Sequence, residues 1–294
     1  MKVGLVGLGL MGSAMGPNLQ KAGFEVVGFD RDPDRVSEHR SRGGTVAGSV
    51  REVTDTTGIV VLSLPTSEIG RDVCLGPDGI VGSKATLVID TTTARPADTL
   101  EIASGLAAAG IGFVDATMSG NARQAASRDI VAMVGGSAED VALARPVLEA
   151  VARSVHHLGS VGSGARTKLI VNLVLGIHRV ALAEGLVMGE QAGIDLPTLL
   201  GVLRDGAAYS KAMDVWGDRM VEGDHYPPDS RIRQNHKDFR LILEQGQEVG
   251  SPTRLAAVVE ALLTDAEEQG LSDADNSAVI AALPHQTRHT GSGA

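Results

Sequence analysis

Lys2-Val3-Gly4-Leu5-Val6-Gly7-Leu8-Gly9-Leu10-Met11-Gly12 opens the chain: a short apolar run that ends in the spacing G-x-G-x-x-G. Ala14, Met15, Leu19 and Ala22 follow at helical spacing, so the stretch reads as strand, tight turn and helix. Each glycine has its own task there. Gly7 permits the turn, Gly9 lets backbone approach a pyrophosphate, and Gly12 lets the helix pack on the strand with its N-terminus facing the anion. Leu8, Leu10 and Met11 complete this candidate dinucleotide-binding turn. Asp30 closes a second apolar run about 20 residues beyond the motif, where a carboxylate can accept hydrogen bonds from the adenosine ribose. That carboxylate points to NAD. Its neighbour Arg31 can instead pair with a 2′-phosphate or lie beside the adenine, which leaves NADP open. An apolar opening after one basic residue also resembles a signal-peptide core, but the glycine spacing favours the strand and turn.

Working outward, apolar runs at 2–6, 25–29, 59–63, 86–90, 112–115 and 130–134 alternate with helical stretches, the rhythm of βαβ units. Their Val/Ile-rich texture predicts parallel strands buried on both faces. After Gly164 the strand pattern stops and helices dominate, with breaks at 193–197, 223–228 and 250–252. The fold expected is α/β: an N-terminal Rossmann domain with a doubly wound parallel sheet, plus an all-α C-terminal domain, joined by a long central helix. The domains are placed at 1–163 and 164–283, with a polar tail at 284–294 expected to be disordered. Residues 165–191 are apolar almost all round, which predicts a helix buried on several sides or facing a second subunit.

Composition narrows the function. With 294 residues and 43% hydrophobic content the chain can form two proper cores, built from aliphatic residues because aromatics are 2%. A net charge of -10 and the lack of a dense Lys/Arg run oppose nucleic-acid binding. Cys74 is the single cysteine, so no intrachain disulfide can form, and a cytoplasmic setting is expected. The longest apolar stretch is interrupted by Asn172, His178, Arg179 and Glu184, so no membrane span is expected. No metal site is expected either, because His285 and His289 in the tail lack a third ligand. Phosphate-binding P-loops and nucleophile elbows are absent.

Several blocks carry a family resemblance: GLGLMGSAMGPNL at 7–19, DTTTARP at 90–96, SGN at 119–121, GSGARTKLIVN at 162–172 and HKD at 236–238. Together they resemble the β-hydroxyacid dehydrogenase family, which includes 3-hydroxyisobutyrate dehydrogenase and tartronate semialdehyde reductase, over nearly the whole chain. The resemblance implies a Rossmann domain, a long interdomain helix and a helical domain, assembled as a homodimer or homotetramer. The implied chemistry is NAD(P)-linked interconversion of a small 3-hydroxyacid and its semialdehyde. Lys168 would be the catalytic residue. Asn172 would orient the substrate, Ser119 and Gly120 would hold its carboxylate with Asn121 as a further substrate-binding candidate, and Lys237 would close the site from a distant helix, within reach of substrate and cofactor. Leu64, Pro65 and Thr93 join the cofactor-binding set.

The residue chemistry is consistent with that. Lys168 and Asn172 lie four apart in a predicted helix, so both project from one face. A partly desolvated ammonium can donate a proton to a carbonyl oxygen, and the amine can take it back from a hydroxyl. Ser119-Gly120-Asn121 follows a strand at the carboxyl edge of the sheet, where open α/β folds bind ligands. Thr92 and Thr93 either contact the nicotinamide end or cap the next helix. Lys237 either serves the site or forms a solvated pair with Asp238. The chain departs from the family's usual PVSGG with Thr117-Met118-Ser119-Gly120-Asn121, and Arg123 and Arg128 follow. This points to a bulkier acid or one with a second anionic group. Two other functions fit the same architecture: an imine reductase, against which Lys168 argues, and a non-catalytic dinucleotide-binding protein.

Overall fold

The computed structural model describes residues 1–283. The expected disorder of the tail and the pair His285 and His289 lie outside the described residues. The chain divides into two compact units, Met1–Lys168 and Leu169 onward.

The first unit is one eight-stranded sheet. Its strands are β1 (Lys2–Val6), β2 (Glu25–Phe29), β3 (Thr45–Val46), β4 (Ile59–Leu62), β5 (Leu87–Asp90), β6 (Gly112–Ser119), β7 (Val131–Gly135) and β8 (Ser154–Gly159). Helices α1 (Leu10–Lys21), α2 (Pro33–Ser41), α3 (Val50–Thr56), α4 (Ser67–Leu75), α5 (Pro96–Ala108), α6 (Ala122–Ala126) and α7 (Ala138–Val151) connect them. In space the strands run β3-β2-β1-β4-β5-β6-β7-β8. Two apolar layers cover the faces: Met15, Leu19, Val147 and Leu148 lie in one, and Val53, Ile102 and Leu106 in the other. The chain reverses its direction of winding between β1 and β4, which opens a crevice at the carboxyl ends of those strands.

Three details correct the sequence reading. The sheet is not wholly parallel, because β7 runs antiparallel to β6. Only a five-residue helix lies between these two strands, too little chain for a crossover over the sheet, so the chain turns back at the same edge. β6 does not stop at Asp115 but continues to Ser119. Two further strands, β3 and β8, carried no apolar signal. The first has two residues, and the second is an edge strand reading Ser-Val-His-His-Leu-Gly with its second half exposed.

The second unit is helical. It takes most of α8 (Ser163–Gln191), then α9 (Leu196–Asp205), α10 (Lys211–Glu222), α11 (Ile232–Glu248), α12 (Arg254–Glu268) and the short α13 (Val279–Ala282). The breaks fall where glycines take positive φ, at Gly193, Gly223 and Gly250. Leu182, Leu186, Trp216, Phe239 and Leu263 build its core. Arg179 is buried among them. It stacks 4.8 Å from the Trp216 ring centre and donates to Asn235 Oδ1, and burial lowers its pKa to about 10.

By length and composition α8 is apolar enough to cross a membrane, a measure the sequence reading placed out of reach. In this unit it instead presents Leu169, Val180, Leu182, Ala183 and Leu186 to the helical core. It is not buried all round. Ile170, Val174 and Met188 stay exposed on one stripe.

Candidate active site

The turn after β1 has the form the glycines require. Gly7 sits at φ 94°, and a Cβ there would lie 2.2 Å from the Ser63 carbonyl oxygen. A Cβ on Gly12 would come 2.0 Å from the Gly7 carbonyl oxygen, so helix and turn touch through backbone alone. Gly9 is the N-cap of α1 and no side chain caps that helix, so its first-turn amides face the mouth of the turn. These features fit a dinucleotide pyrophosphate. The carboxylate of Asp30 stands beside the turn, accepting the Leu8 N–H at 2.7 Å and the Asp32 N–H at 2.9 Å. Asp30 therefore braces the turn itself, a task the motif alone did not reveal. Arg31 is exposed.

On the far side of the crevice, the Leu64 N–H donates to Thr92 Oγ1 at 3.3 Å, tying the loop after β4 to the loop after β5. Pro65 is exposed beside it and Thr93 is half-buried. Helix α5 begins only at Pro96, with Arg95 as its N-cap, so neither threonine caps it. Asp90, at the end of β5, is fully buried and accepts the Thr92 N–H. Burial raises its carboxyl to about 6, against the pull of the Thr92 bonds, and the nearby Asp115 adds to the rise.

β6 delivers the next group. Gly120 takes φ 139°, and a Cβ would meet Ile130 Cγ2 at 2.4 Å, so only glycine fits the exit from the strand. Ser119 is half-buried at the strand end. Asn121 has a structural occupation: its Oδ1 accepts the Gln124 N–H and its own N–H donates to Gln124 Oε1, a reciprocal cap on α6. Arg128 reaches away to the Glu149 carbonyl oxygen, while Arg123 is exposed on α6. Lys168, in the second turn of α8, points back at this strand, and its Nζ donates to the Met118 carbonyl oxygen at 2.7 Å.

In the helical unit Asn172 is buried and donates from Nδ2 to Asp238 Oδ2 at 2.8 Å. Lys237 Nζ lies 3.5 Å from Asp238 Oδ1. So α8 and α11 bring together Asn172, Asp238 and Lys237, and Asp238, expected only as a partner for Lys237, also holds the amide of Asn172.

Comparison with known proteins now decides the family. The family described as the NAD binding domain of 6-phosphogluconate dehydrogenase matches residues 2–159, and that described as the NAD-binding of NADP-dependent 3-hydroxyisobutyrate dehydrogenase matches 162–283. The 2-(hydroxymethyl)glutarate dehydrogenase of Eubacterium barkeri is 30% identical over 100% of this chain and 98% of its own. The 3-hydroxyisobutyrate dehydrogenase of Pseudomonas aeruginosa is 32% identical over 92% and 95%. A crystal structure of 3-hydroxyisobutyrate dehydrogenase from Salmonella typhimurium superimposes with a TM-score of 0.87 at 30% identity, covering 96% of this chain and 99% of that one. The chain belongs to the β-hydroxyacid dehydrogenase family. As a β-hydroxyacid dehydrogenase it is an NAD(P)-dependent oxidoreductase that interconverts hydroxyacids and semialdehydes. Both expectations drawn from the sequence, the family and its chemistry, are thereby met.

Proposed function

We propose that this enzyme interconverts a small 3-hydroxyacid and its 3-oxoacid, with Lys168 as the proton-transfer group and NAD as the preferred dinucleotide. The observation that carries this reading is the bond from Lys168 Nζ to the Met118 carbonyl, one residue before Ser119. A lysine serving only solubility would extend its ammonium into water. This one is turned inward, toward the exit of β6.

The residues then divide the work. Gly7, Leu8, Gly9, Leu10, Met11 and Gly12 cradle the pyrophosphate, Asp30 and Arg31 attend the adenosine end, and Leu64, Pro65 and Thr93 line the nicotinamide end. When bound, the dinucleotide supplies or removes the hydride. Lys168 Nζ gives a proton to the substrate oxygen in reduction and, as the amine, takes one from the hydroxyl in oxidation. Ser119 and the amides around Gly120 hold the substrate carboxylate. Asn121 has only its Nδ2 to contribute there, since Oδ1 caps α6. Asn172 orients the substrate, its own amide set by Asp238, and Lys237 completes that cluster.

A substrate with a second anionic group fits the departure at 117–121, and Arg123 is the cation we assign to it. A relative named for hydroxymethylglutarate, a dicarboxylate, supports that choice. We further propose a cytoplasmic homodimer, joined through the exposed stripe of α8.

The test is a 340 nm assay offering NAD and NADP with 3-hydroxyisobutyrate, 2-(hydroxymethyl)glutarate, glycerate, threonate and serine. Turnover with a 3-hydroxyacid and NAD, abolished in Lys168→Ala, is the expected result. Turnover that survives that substitution, or a preference for cyclic imines, overturns the reading.

A further inference from the structure

The first turn of α8 is capped from 47 residues away in sequence. Gly162, just before the helix, sits at φ 89° and has no side chain with which to cap it. The cap comes from β6. Asp115 accepts the Gly162 N–H through Oδ1 and the Ala165 N–H through Oδ2, both at 2.8 Å. Two residues along the strand, Thr117 Oγ1 donates to the Gly164 carbonyl oxygen at 2.9 Å. One residue further, the Met118 carbonyl receives Lys168 Nζ. A Cβ on Gly164 would lie 2.5 Å from the carbonyl oxygens of both Asp115 and Met133, so helix and strand meet through backbone here.

Asp115 and Thr117 are almost fully buried. Burial pushes the Asp115 carboxyl above the usual carboxylate range, although the amides of Ala165, Gly162 and Gly164 pull it down. An uncharged cap would avoid that cost. What the carboxylate provides is two short bonds to amides three residues apart, at the start and in the first turn of the helix, which fix both the height and the rotation of the helix against the strand. Lysine needs such help, because its charge hangs on a flexible four-carbon stem with little directional preference of its own.

We propose that Asp115 is a positioning residue for Lys168: with Thr117 it locks the first turn of α8 to β6, so that Nζ meets the Met118 carbonyl beside Ser119 and Gly120. The proposal rests on Lys168 as the proton-transfer group.

The experiment compares Asp115→Asn, Thr117→Val, Lys168→Ala and a control, Val53→Ala, which opens the core under β1 away from this seam. For each, kcat, both KM values, the pH profile of kcat, NADH affinity by fluorescence and the melting temperature are measured. Asp115→Asn keeps the shape but sets an amide NH2 or a weaker acceptor against one backbone N–H. We expect kcat to fall about 10- to 100-fold, as a small misplacement of a reacting group does. The pH profile of kcat should move, while NADH affinity stays within about twofold. Val53→Ala, at a similar loss of melting temperature, should keep the unaltered profile. If Asp115→Asn does not fold, Thr117→Val carries the same test with a loss of about 3- to 10-fold and a moved profile.

An unmoved profile with kcat within twofold in the folded seam variant overturns the proposal. So does a loss of kcat that Val53→Ala reproduces in full. Turnover surviving in Lys168→Ala removes the lysine reading and this proposal together. A dead Lys168→Ala beside a normal Asp115→Asn removes this proposal alone.

Discussion

Lys168 and Asp90 illustrate what single ionisable groups contribute. For Lys168→Ala we expect kcat to fall by about 10²- to 10⁴-fold, the usual contribution of a general acid or base, with NADH affinity within about twofold of the unaltered chain. Stopped-flow turnover together with a fluorescence titration separates the two effects. Asp90 makes a different prediction, on stability. Its carboxyl is raised by burial to about 6 in the folded chain. A raised carboxyl favours the protonated folded state. The stability it contributes is therefore complete below its ordinary pKa near 4 and is lost as pH rises through about 6, roughly 3 kcal/mol in all. Asp90→Asn cannot ionise. Urea unfolding at pH 4 and pH 7 should show the gap between variant and unaltered chain moving in the variant's favour by up to that amount as pH rises. An unchanged gap would mean that Asp90 does not titrate in this range.

At the scale of elements, the strand-turn-helix of β1 and α1 depends on the absence of two side chains. Gly12→Ala places a methyl 2.0 Å from the Gly7 carbonyl oxygen, which is backbone and must move. We expect a loss of about 1–3 kcal/mol or more in stability, with dinucleotide affinity falling more than tenfold as the first turn of α1 tilts away from the anion. Calorimetric titration with NADH and chemical unfolding read the two quantities. In the helical unit, Arg179→Ala removes a buried cation from beside Trp216 and Asn235 and leaves an opening in the core. Emptying that core volume and leaving the Asn235 amide oxygen without its donor costs about 2–5 kcal/mol, a fall that urea denaturation measures directly.

For the whole molecule, what α8 leaves uncovered bears on assembly. Helix α8 spans Ser163–Gln191, and most of it belongs to the helical unit. Along it Ile170, Val174, Ala181 and Met188 stay exposed, and a stripe of this kind on a 29-residue helix suits a second copy of the chain. Light scattering should give twice the 30.3 kDa chain mass. The double variant Val174→Asp and Met188→Asp should give a single chain, since an unpaired carboxylate in an apolar interface is strongly unfavourable. A single chain before substitution would refute the dimer.

Much of the fold was legible in the order of residues because its signals are local. The spacing of Gly7, Gly9 and Gly12 reports a turn that only glycine can make, and runs of Val and Ile report strands covered on both faces. The blocks that resemble the family singled out Lys168, Asn172 and Ser119 as candidates. Only the tertiary structure decided the antiparallel turn of β7, the edge strands β3 and β8, and the exposed stripe of α8. Those depend on what lies beside each residue in space. Asp115 is the plainest case. In sequence it is an acid at the end of an apolar run, and nothing nearby in the chain explains it. Its partners, Gly162 and Ala165, are 47 and 50 residues away, and only the folded sheet brings their amides within 2.8 Å. A hydrogen bond requires contact, and contact between distant residues is a property of the fold.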